Sequence, residues 1–401
     1  MKFYRNISES VLSAAKKMPV ISLLGPRQSG KTTLAQELFG QHKYVSLEDP
    51  TVRAYAINDP QAFLATYHNE HGIIIDEVQH APELLSYIQV WVDANDRDGY
   101  FVITGSQNIL INEAITQSLA GRVAIFTLLP LSVSELKRAD KLKDTSQKAI
   151  FFGGYPRIYA KNLDPAEWAK DYIRSYVERD VRSLKNIADL SLFQKFMKLC
   201  AGRIGQLLNI ESLANDCGIT AVTVRSWLSV LEATYIIFLL QPYSVNIGKR
   251  LVKAPKLYFY DTALASSLLG IETEDQLSSH YLHGGLFESF VLSDILKQRY
   301  NRNKSPNLYF WRDYQGHELD GVLAVGNELL PIEIKAGQTI QPSYFSGLRY
   351  WYDALDIKPI DDIPAYNGIV VYAGKENQQR TIGQVLDWKS IDAITERLYK
   401  K

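Results

Sequence analysis

Cysteines are scarce in this sequence: Cys200 and Cys217 are the only two among 401 residues. They form no CxxC pair and have no metal-ligand spacing, which argues against a cysteine-based zinc site and favours two buried thiols in a reducing compartment. Charge of one sign is lacking too, because 44 lysines and arginines balance 44 aspartates and glutamates. No overall basic field therefore indicates nucleic-acid binding, and any such contact would need a local patch.

Long hydrophobic runs are absent as well. The longest apolar stretches, such as residues 235–240, are too short to span a membrane, and residues 1–5 lack the apolar run of a signal peptide. Apolar residues make up 46% of the chain and charged residues 22%, which is ordinary globular composition. A chain of 401 residues is long for one core, so we expect two or three domains in a soluble, cytoplasmic protein with no membrane partner.

One short segment, from Gly25 to Thr32, matches the phosphate-binding pattern G-x-x-x-x-G-K-[ST]. Residues 20–24 predict a buried strand before it, and residues 31–39 predict a helix after it. In that setting the backbone N–H groups of the loop and the positive end of the helix face a bound polyphosphate. We expect Lys31 to contact the β- and γ-phosphates of ATP and Thr32 to bind Mg²⁺. The predicted nucleotide-binding residues of this segment are Gly25, Pro26, Arg27, Gln28, Ser29, Gly30, Lys31, Thr32 and Thr33.

An acidic pair follows a run of isoleucines. Residues 72–75 predict a strand that is buried on both faces of a parallel sheet, and Asp76 and Glu77 come at its carboxyl end. Ligands bind at the carboxyl ends of parallel strands, so both carboxylates should lie beside the P-loop. This is the Walker B pattern, in which Asp76 helps to hold Mg²⁺ and Glu77 orients and activates the attacking water.

Three further polar residues are candidates for the same site. A strand over residues 100–106 ends with Thr104 and Ser106, and the spacing does not decide which of them is the γ-phosphate sensor. Arg122 precedes a fifth apolar strand. It is either an arginine finger for a neighbouring subunit, which implies a homo-oligomer, or a strand-end arginine in a salt bridge.

Four segments, in this order and spacing, resemble a prokaryotic family of AAA ATPases: Gly-Pro-Arg-Gln-x-Gly-Lys-Thr-Thr, Ile-Ile-Ile-Asp-Glu-Val-Gln, Ile-Thr-Gly-Ser and Ser-Leu-Ala-Gly-Arg. In that family the ATPase core precedes a large C-terminal domain of unknown function. The resemblance runs through most of the chain. It implies ATP binding and hydrolysis, but it supplies no cellular role.

The middle of the chain has the pattern of a helix-turn-helix. Two short helices are predicted on either side of Gly218, and Arg225 faces outward from the second one. Two strands follow, and the basic residues 246–253 between them are predicted to form a wing that contacts DNA phosphates. This winged-helix-like module either binds double-stranded DNA or makes a packing or protein contact.

The last third contains a predicted β-hairpin with its turn at Gly326-Asn327. Counting back from that turn places Asp320 opposite Glu333, and alternation places Lys335 on the same face. Like charges opposed in this way are destabilising, whereas a divalent cation would turn the pair into a binding site.

This hairpin resembles the core of the PD-(D/E)xK nucleases. The resemblance implies that Asp320, Glu333 and Glu288, the last on the preceding helix, hold Mg²⁺ and that Lys335 positions or activates water. The position before the first carboxylate departs from the pattern, because it lacks the proline. A salt-bridge cluster around Lys335, or a nuclease fold without activity, stays open as the alternative.

The expected fold class is α/β with four parts. They are an AAA-type P-loop NTPase core (1–135), a helical lid or linker (136–200), a winged-helix-like region (201–265) and an α/β restriction-endonuclease-like domain (280–401). The expected function is Mg²⁺-dependent ATP hydrolysis that drives or switches action on DNA. The alternative is a nucleotide-controlled scaffold or sensor that binds a protein partner and has an inactive nuclease fold.

Overall fold

A computed structural model describes residues 2–106, 115, 117–177, 187, 189–243, 254–326, 328–355 and 368–397. The chain divides into two compact units. Unit 1 comprises Met1–Leu131, Ala233–Tyr235 and Arg299–Lys304, and unit 2 comprises Ser132–Glu232, Ile236–Gln298 and Ser305–Lys401. The four predicted domain ranges are finer than this division and stay predictions.

Unit 1 contains a five-stranded parallel sheet with the strand order β2-β3-β4-β1-β5. The predicted strands over residues 20–24, 72–75 and 100–106 are confirmed to within one residue at each end. The six residues of β1 and the four of β3 are all buried, as expected for strands covered on both faces. The strands are β1 Val20–Gly25, β2 Lys43–Ser46, β3 Ile73–Asp76, β4 Phe101–Ser106 and β5 Val123–Thr127.

Neighbouring residues of a strand point to opposite faces of the sheet. Both faces of this sheet are apolar, and helices cover both of them. In β1, Ile21 and Leu23 pack in one hydrophobic cluster, whereas Val20 and Leu24 pack in another. Two helices that were not predicted from the sequence begin at the Asp-Pro pairs Asp49-Pro50 and Asp59-Pro60, where each aspartate caps its helix. The helices of unit 1 are α1 Ser8–Ala14, α2 Lys31–Leu38, α3 Pro50–Asn58, α4 Pro60–Thr66 and α5 Leu84–Ala94.

Unit 2 begins with a series of helices, α6 Val133–Arg138, α7 Ser146–Phe152, α8 Pro156–Lys161, α9 Pro165–Tyr176, α10 Leu190–Ala201, α11 Ile210–Cys217 and α12 Ala221–Ala233. The two strands β6 Ile237–Leu240 and β7 Lys256–Phe259 then pair antiparallel. Three more helices follow, α13 Thr262–Leu268, α14 Glu274–Ser279 and α15 His283–Asn301.

The rest of unit 2 is built on a six-stranded sheet with the order β12-β13-β11-β10-β9-β8. The sheet is mixed, since β8, β9 and β10 pair antiparallel while β10, β11 and β13 pair parallel. Such a sheet does not confirm the restriction-endonuclease-like fold, which stays a prediction. The elements are β8 Leu308–Arg312, β9 Glu318–Val325, β10 Glu328–Lys335, α16 Ser346–Ala354, β11 Ile369–Tyr372, β12 Gln378–Arg380, β13 Gly383–Asp387 and α17 Asp392–Arg397.

Candidate functional site

The P-loop connects β1 to α2 through backbone conformations that favour glycine. Gly25 has a φ of 150° and Gly30 a φ of 98°, and Gln28 between them has a φ of 59°. A Cβ atom on Gly25 would collide with the carbonyl oxygen of Leu128. The loop therefore depends on a close approach between two backbone segments that only glycine permits.

Lys31, the first residue of α2, turns back into the loop. Its Nζ donates hydrogen bonds to the carbonyl oxygens of Gly25, at 3.0 Å, and Pro26, at 2.9 Å. The side chain is only 5% exposed. A buried ammonium group inside the loop is well placed to meet an anion there.

Arg5 supports the same loop and was not predicted from the sequence. Its guanidinium donates to the carbonyl oxygen of Ser29 at 2.8 Å and to that of Leu129 at 2.6 Å. The residue is 5% exposed, so both bonds lie away from solvent. Arg5 thus fixes the middle of the P-loop to the segment that follows β5.

Asp76 lies at the carboxyl end of β3 and accepts hydrogen bonds from three hydroxyl groups. Thr32 donates to Oδ1 at 2.9 Å, Tyr44 donates to Oδ2 at 3.0 Å, and Thr104 also donates to Oδ1. Burial and the Asp76 charge raise the pKa of Tyr44 to about 12. The P-loop threonine and the predicted metal-binding carboxylate are therefore in direct contact, and Tyr44 is a neighbour that the sequence motifs did not indicate.

Glu77, the next residue, has a left-handed backbone with a φ of 57°. Its carboxylate accepts a hydrogen bond from the side chain of Gln79, whose amide nitrogen also donates to Ser106 Oγ at 3.0 Å. Burial alone would raise the pKa of Glu77, but Lys31, Gln79 and Arg27 together lower it. The two sensor candidates are thus separated, since Thr104 contacts Asp76 while Ser106 lies on the side of Glu77.

Arg122 forms a salt bridge within unit 1. Its Nη2 donates to Asp93 Oδ2 at 3.0 Å and its Nε donates to Oδ1 of the same carboxylate. The geometry matches the salt-bridge alternative, because both donor atoms meet one carboxylate. Its predicted role as an arginine finger in a neighbouring subunit stays a prediction.

The two helices predicted on either side of Gly218 are α11 and α12, and the helix-turn-helix itself stays a prediction. Gly218 ends α11 with a φ of 80°, and Thr220 accepts a hydrogen bond from the backbone N–H of Thr223 at 3.1 Å at the start of α12. Arg225 is exposed on α12. The predicted wing, residues 246–253, lies outside the described residues.

The C-terminal hairpin has the predicted register, with Val325 opposite Glu328. Asp320 accepts a hydrogen bond from the backbone N–H of Ile334 at 2.7 Å, which places it beside Glu333. Lys335 Nζ lies 2.6 Å from Glu333 Oε1 and 3.8 Å from Asp320 Oδ2. The three predicted residues of the hairpin are thus brought together.

Lys256, on β7, enters the same acidic cluster and was not predicted from the sequence. It donates to Glu318 Oε1 and lies 4.0 Å from Glu288 Oε2, which also accepts a hydrogen bond from Tyr258 at 2.9 Å. Burial followed by the Asp320 charge raises the pKa of Glu288. The same causes raise the pKa of Glu333.

Among the described residues, the carboxylates of this cluster meet lysine side chains. Among the residues that the structure describes, no group of three or more acidic, histidine or cysteine side chains is arranged to hold a metal. Lysine ammonium groups lie against Glu333 and Glu318 instead. The arrangement lends the predicted Mg²⁺ site of Asp320, Glu333 and Glu288 no support, and that site stays a prediction.

Comparison with known families divides the chain into three matches. An AAA domain matches residues 17–137. Two domains of unknown function follow, DUF8612 at residues 143–275 and DUF4143 at residues 283–391. The AAA match, the parallel sheet and the P-loop geometry together show a P-loop NTPase domain, a fold that implies nucleotide binding.

Relatives extend over most of the length. Uncharacterized protein Rv2008c of Mycobacterium tuberculosis is 32% identical over 354 residues, which cover 86% of this chain and 76% of the relative. This chain belongs to the family of that protein. Uncharacterized protein MJ1637 of Methanocaldococcus jannaschii is 23% identical over 331 residues, or 69% of this chain and 67% of the relative.

Solved structures resemble the chain more distantly. The Walker-type ATPase PABY2304 of Pyrococcus abyssi is 17% identical with a TM-score of 0.39 and covers 65% of this chain and 94% of its own. The Thermotoga maritima RuvB Holliday junction branch migration motor is 19% identical with a TM-score of 0.30, and the match covers 58% of this chain and 86% of that structure's chain. At these scores neither likeness bears on function. In the part of the chain that is described, every helix is too short or too polar to cross a membrane.

Proposed function

We propose that this protein hydrolyses ATP with the help of Mg²⁺. The observation that carries the proposal is the contact between Thr32 and Asp76, at 2.9 Å, with Glu77 as the next residue of the chain. Thr32 and Asp76 offer oxygen atoms, which are the ligands that Mg²⁺ prefers, and the bound ion would neutralise phosphate charge. Lys31 binds the phosphates, Glu77 accepts a proton from the attacking water, and Ser106 senses the γ-phosphate.

The test compares ATP hydrolysis by the wild type and by Glu77→Gln. The amide keeps the shape of the side chain but cannot accept the proton, so turnover should fall about 100-fold or more while ATP binding persists. Glu37→Gln, an exposed position on α2, is the matched control and should keep the wild-type rate. Equal rates for all three proteins would contradict the role of Glu77.

Duplex DNA is the proposed target of this ATPase. The support is the pair of helices α11 and α12, which are predicted to form a helix-turn-helix and on which Arg225 is exposed. Arg225→Ala should weaken binding to any duplex sequence. It should also reduce, by about one, the slope of the logarithm of the binding constant against the logarithm of the salt concentration, as expected for a phosphate contact. Unchanged binding at every salt concentration would remove Arg225 from the interface.

A second candidate is a nucleotide-controlled scaffold that binds a protein and cleaves nothing. The observation that favours it is the pairing of Lys256 with Glu318 and of Lys335 with Glu333, since these carboxylates already have cationic partners. ATP turnover that needs Glu77 and is indifferent to duplex DNA would support this candidate. Mg²⁺-dependent nicking that disappears in Glu333→Ala would instead support an active nuclease.

A further inference from the structure

Gln79 lies between Glu77 and Ser106, two polar groups of the proposed hydrolysis site. Its amide nitrogen Nε2 donates one hydrogen bond to the carboxylate of Glu77 and another, at 3.0 Å, to the hydroxyl of Ser106. One amide nitrogen carries two hydrogens, so both bonds form at the same time. Gln79 therefore joins the proposed general base to the proposed phosphate sensor.

The orientation of this amide is set by its surroundings. A carboxylate only accepts hydrogen bonds, so the NH₂ group and not the carbonyl must face Glu77. The amide oxygen of Gln79 is buried and, among the described residues, has no hydrogen-bond partner. A Cβ atom on Gly105 would lie only 2.7 Å from that oxygen, so the glycine leaves the space that the amide occupies.

The backbone around Gln79 is fixed as well. Residues 78–80 form a single 3₁₀ turn, and Val78 within it is fully buried in the core of unit 1. The left-handed backbone of Glu77 begins this turn, and the side chains of residues 77 and 79 meet in a hydrogen bond. The hydrogen bonds from Gln79 thus start from an anchored backbone rather than from a loose surface chain.

We propose that Gln79 is a positioning residue for ATP hydrolysis. It makes the position of the Glu77 carboxylate depend on whether the Ser106 hydroxyl is bound to the γ-phosphate. When the γ-phosphate engages the Ser106 hydroxyl, the shared amide re-aims Glu77 towards the attacking water. Gln79 itself touches neither the nucleotide nor the water. This inference rests on the proposed ATP hydrolysis and adds to it a link between phosphate sensing and the base.

The experiment uses the full chain and two variants, Gln79→Glu and Gln79→Ala. The glutamate has the same shape but replaces the donor group with an acceptor, so both variants lose the link. We expect kcat to fall about 10- to 100-fold, as for a misplaced catalytic group, while KM and the Kd of a fluorescent ATP analogue stay within about twofold. Gln36→Glu, at an exposed position of α2, is the matched control and should keep the wild-type kcat.

A double-mutant cycle with Ser106→Ala separates a link from two independent effects. If Gln79 acts through Ser106, Gln79→Ala should cost much less activity in the Ser106→Ala background than in the wild type. Full additivity would overturn the inference, and so would a loss of ATP binding that matches the loss of kcat. If both Gln79 variants keep the wild-type kcat while Glu77→Gln is inactive, the role of Gln79 is overturned and the proposed ATP hydrolysis stands. A wild type without turnover would overturn the proposed function itself.

Discussion

The hydroxyl of Thr32 donates a hydrogen bond to Asp76 Oδ1 across 2.9 Å, which joins the first turn of α2 to the carboxyl end of β3. The same carboxylate accepts hydrogen bonds from Tyr44 and Thr104. Three neutral donors hold a buried negative charge in place without neutralising it. The proposed Mg²⁺ site would use this carboxylate, which lies beside the P-loop threonine.

The first prediction concerns this charge. Asp76→Asn keeps the size of the side chain but removes the charge, so Mg²⁺ should no longer strengthen ATP binding. The measurement is the affinity for a fluorescent ATP analogue with Mg²⁺ and with EDTA. The wild type should bind the analogue more tightly with Mg²⁺ than with EDTA. Asp76→Asn should bind it with the same affinity under both conditions. Asp96→Asn, in an exposed loop, is the control, and a variant that keeps the full Mg²⁺ effect would exclude Asp76 as a ligand.

The second prediction concerns the loop backbone. Gly25→Ala places a methyl group against the Leu128 carbonyl at a φ of 150°, so the free energy of unfolding should fall by about 2 kcal/mol or more. Gly40→Ala is the matched control, because the nearest atom to its new Cβ is Gln36 O at 3.5 Å and the position needs no unusual φ. Urea unfolding measures both, and equal losses would show that the close approach at Gly25 is not the cause.

The features that the sequence predicts correctly are local ones. The strand before Gly25, the helix from Lys31 and the strand before Asp76 are encoded by neighbouring residues, so pattern and spacing suffice. The register that brings Asp320 beside Glu333 was also predictable, because a two-residue turn fixes the pairing of a hairpin.

The features that pattern did not predict depend on strand order and tertiary contacts. Tyr44 contacts Asp76 because β2 lies beside β3 in the sheet. The order of the strands cannot be inferred from the sequence of either strand alone. Arg5 reaches Leu129 across 124 residues, and Lys256 reaches Glu318 across 62. Thr104 and Ser106 could not be told apart for the same reason, since they differ in the acidic residue that each one lies near.

The third prediction concerns pH. Asp294 is 2% exposed and accepts hydrogen bonds from the backbone of Val133 at 2.7 Å and from Gln298 at 2.6 Å. Burial raises its pKa to about 6, an effect that Asp392 reinforces and Lys297 opposes. Between about pH 4 and pH 6 the folded state keeps a proton that the unfolded chain has lost, so the free energy of unfolding falls as pH rises through that window.

The size of this fall is at most about 3 kcal/mol, and Asp294→Asn should remove it because the amide does not ionise. Urea unfolding at pH 4.5 and 6.5 gives the comparison. The stability of the wild type relative to Asp294→Asn should be lower at the higher pH. Asp275→Asn, at an exposed position, should follow the wild type at both pH values. A constant difference between wild type and Asp294→Asn would show that Asp294 ionises alike in both states.

The last prediction concerns the cation in the C-terminal acidic cluster. Lys256 is 3% exposed and contacts Glu318, with Glu288 4.0 Å away. Burial would lower the pKa of Lys256, but the nearby carboxylates raise it, so the ammonium stays charged. Lys256→Met removes this cation from the partly buried carboxylates of Glu288 and Glu318, while Arg312 still donates to Glu318 at 2.7 Å, and should reduce the free energy of unfolding by about 1–3 kcal/mol.

Two further measurements show whether charge is the cause. Lys375→Met, at an exposed position, should change stability by less than about 0.5 kcal/mol. Adding Glu318→Gln to Lys256→Met should recover part of the loss, because it removes one of the negative charges that Lys256 balances. A full loss in the double variant would assign the effect to packing of the lysine stem instead. If Mg²⁺ restores the stability of Lys256→Met but leaves the wild type unchanged, the cluster binds a divalent cation only when Lys256 is absent, which would argue against the predicted Mg²⁺ site in the wild type.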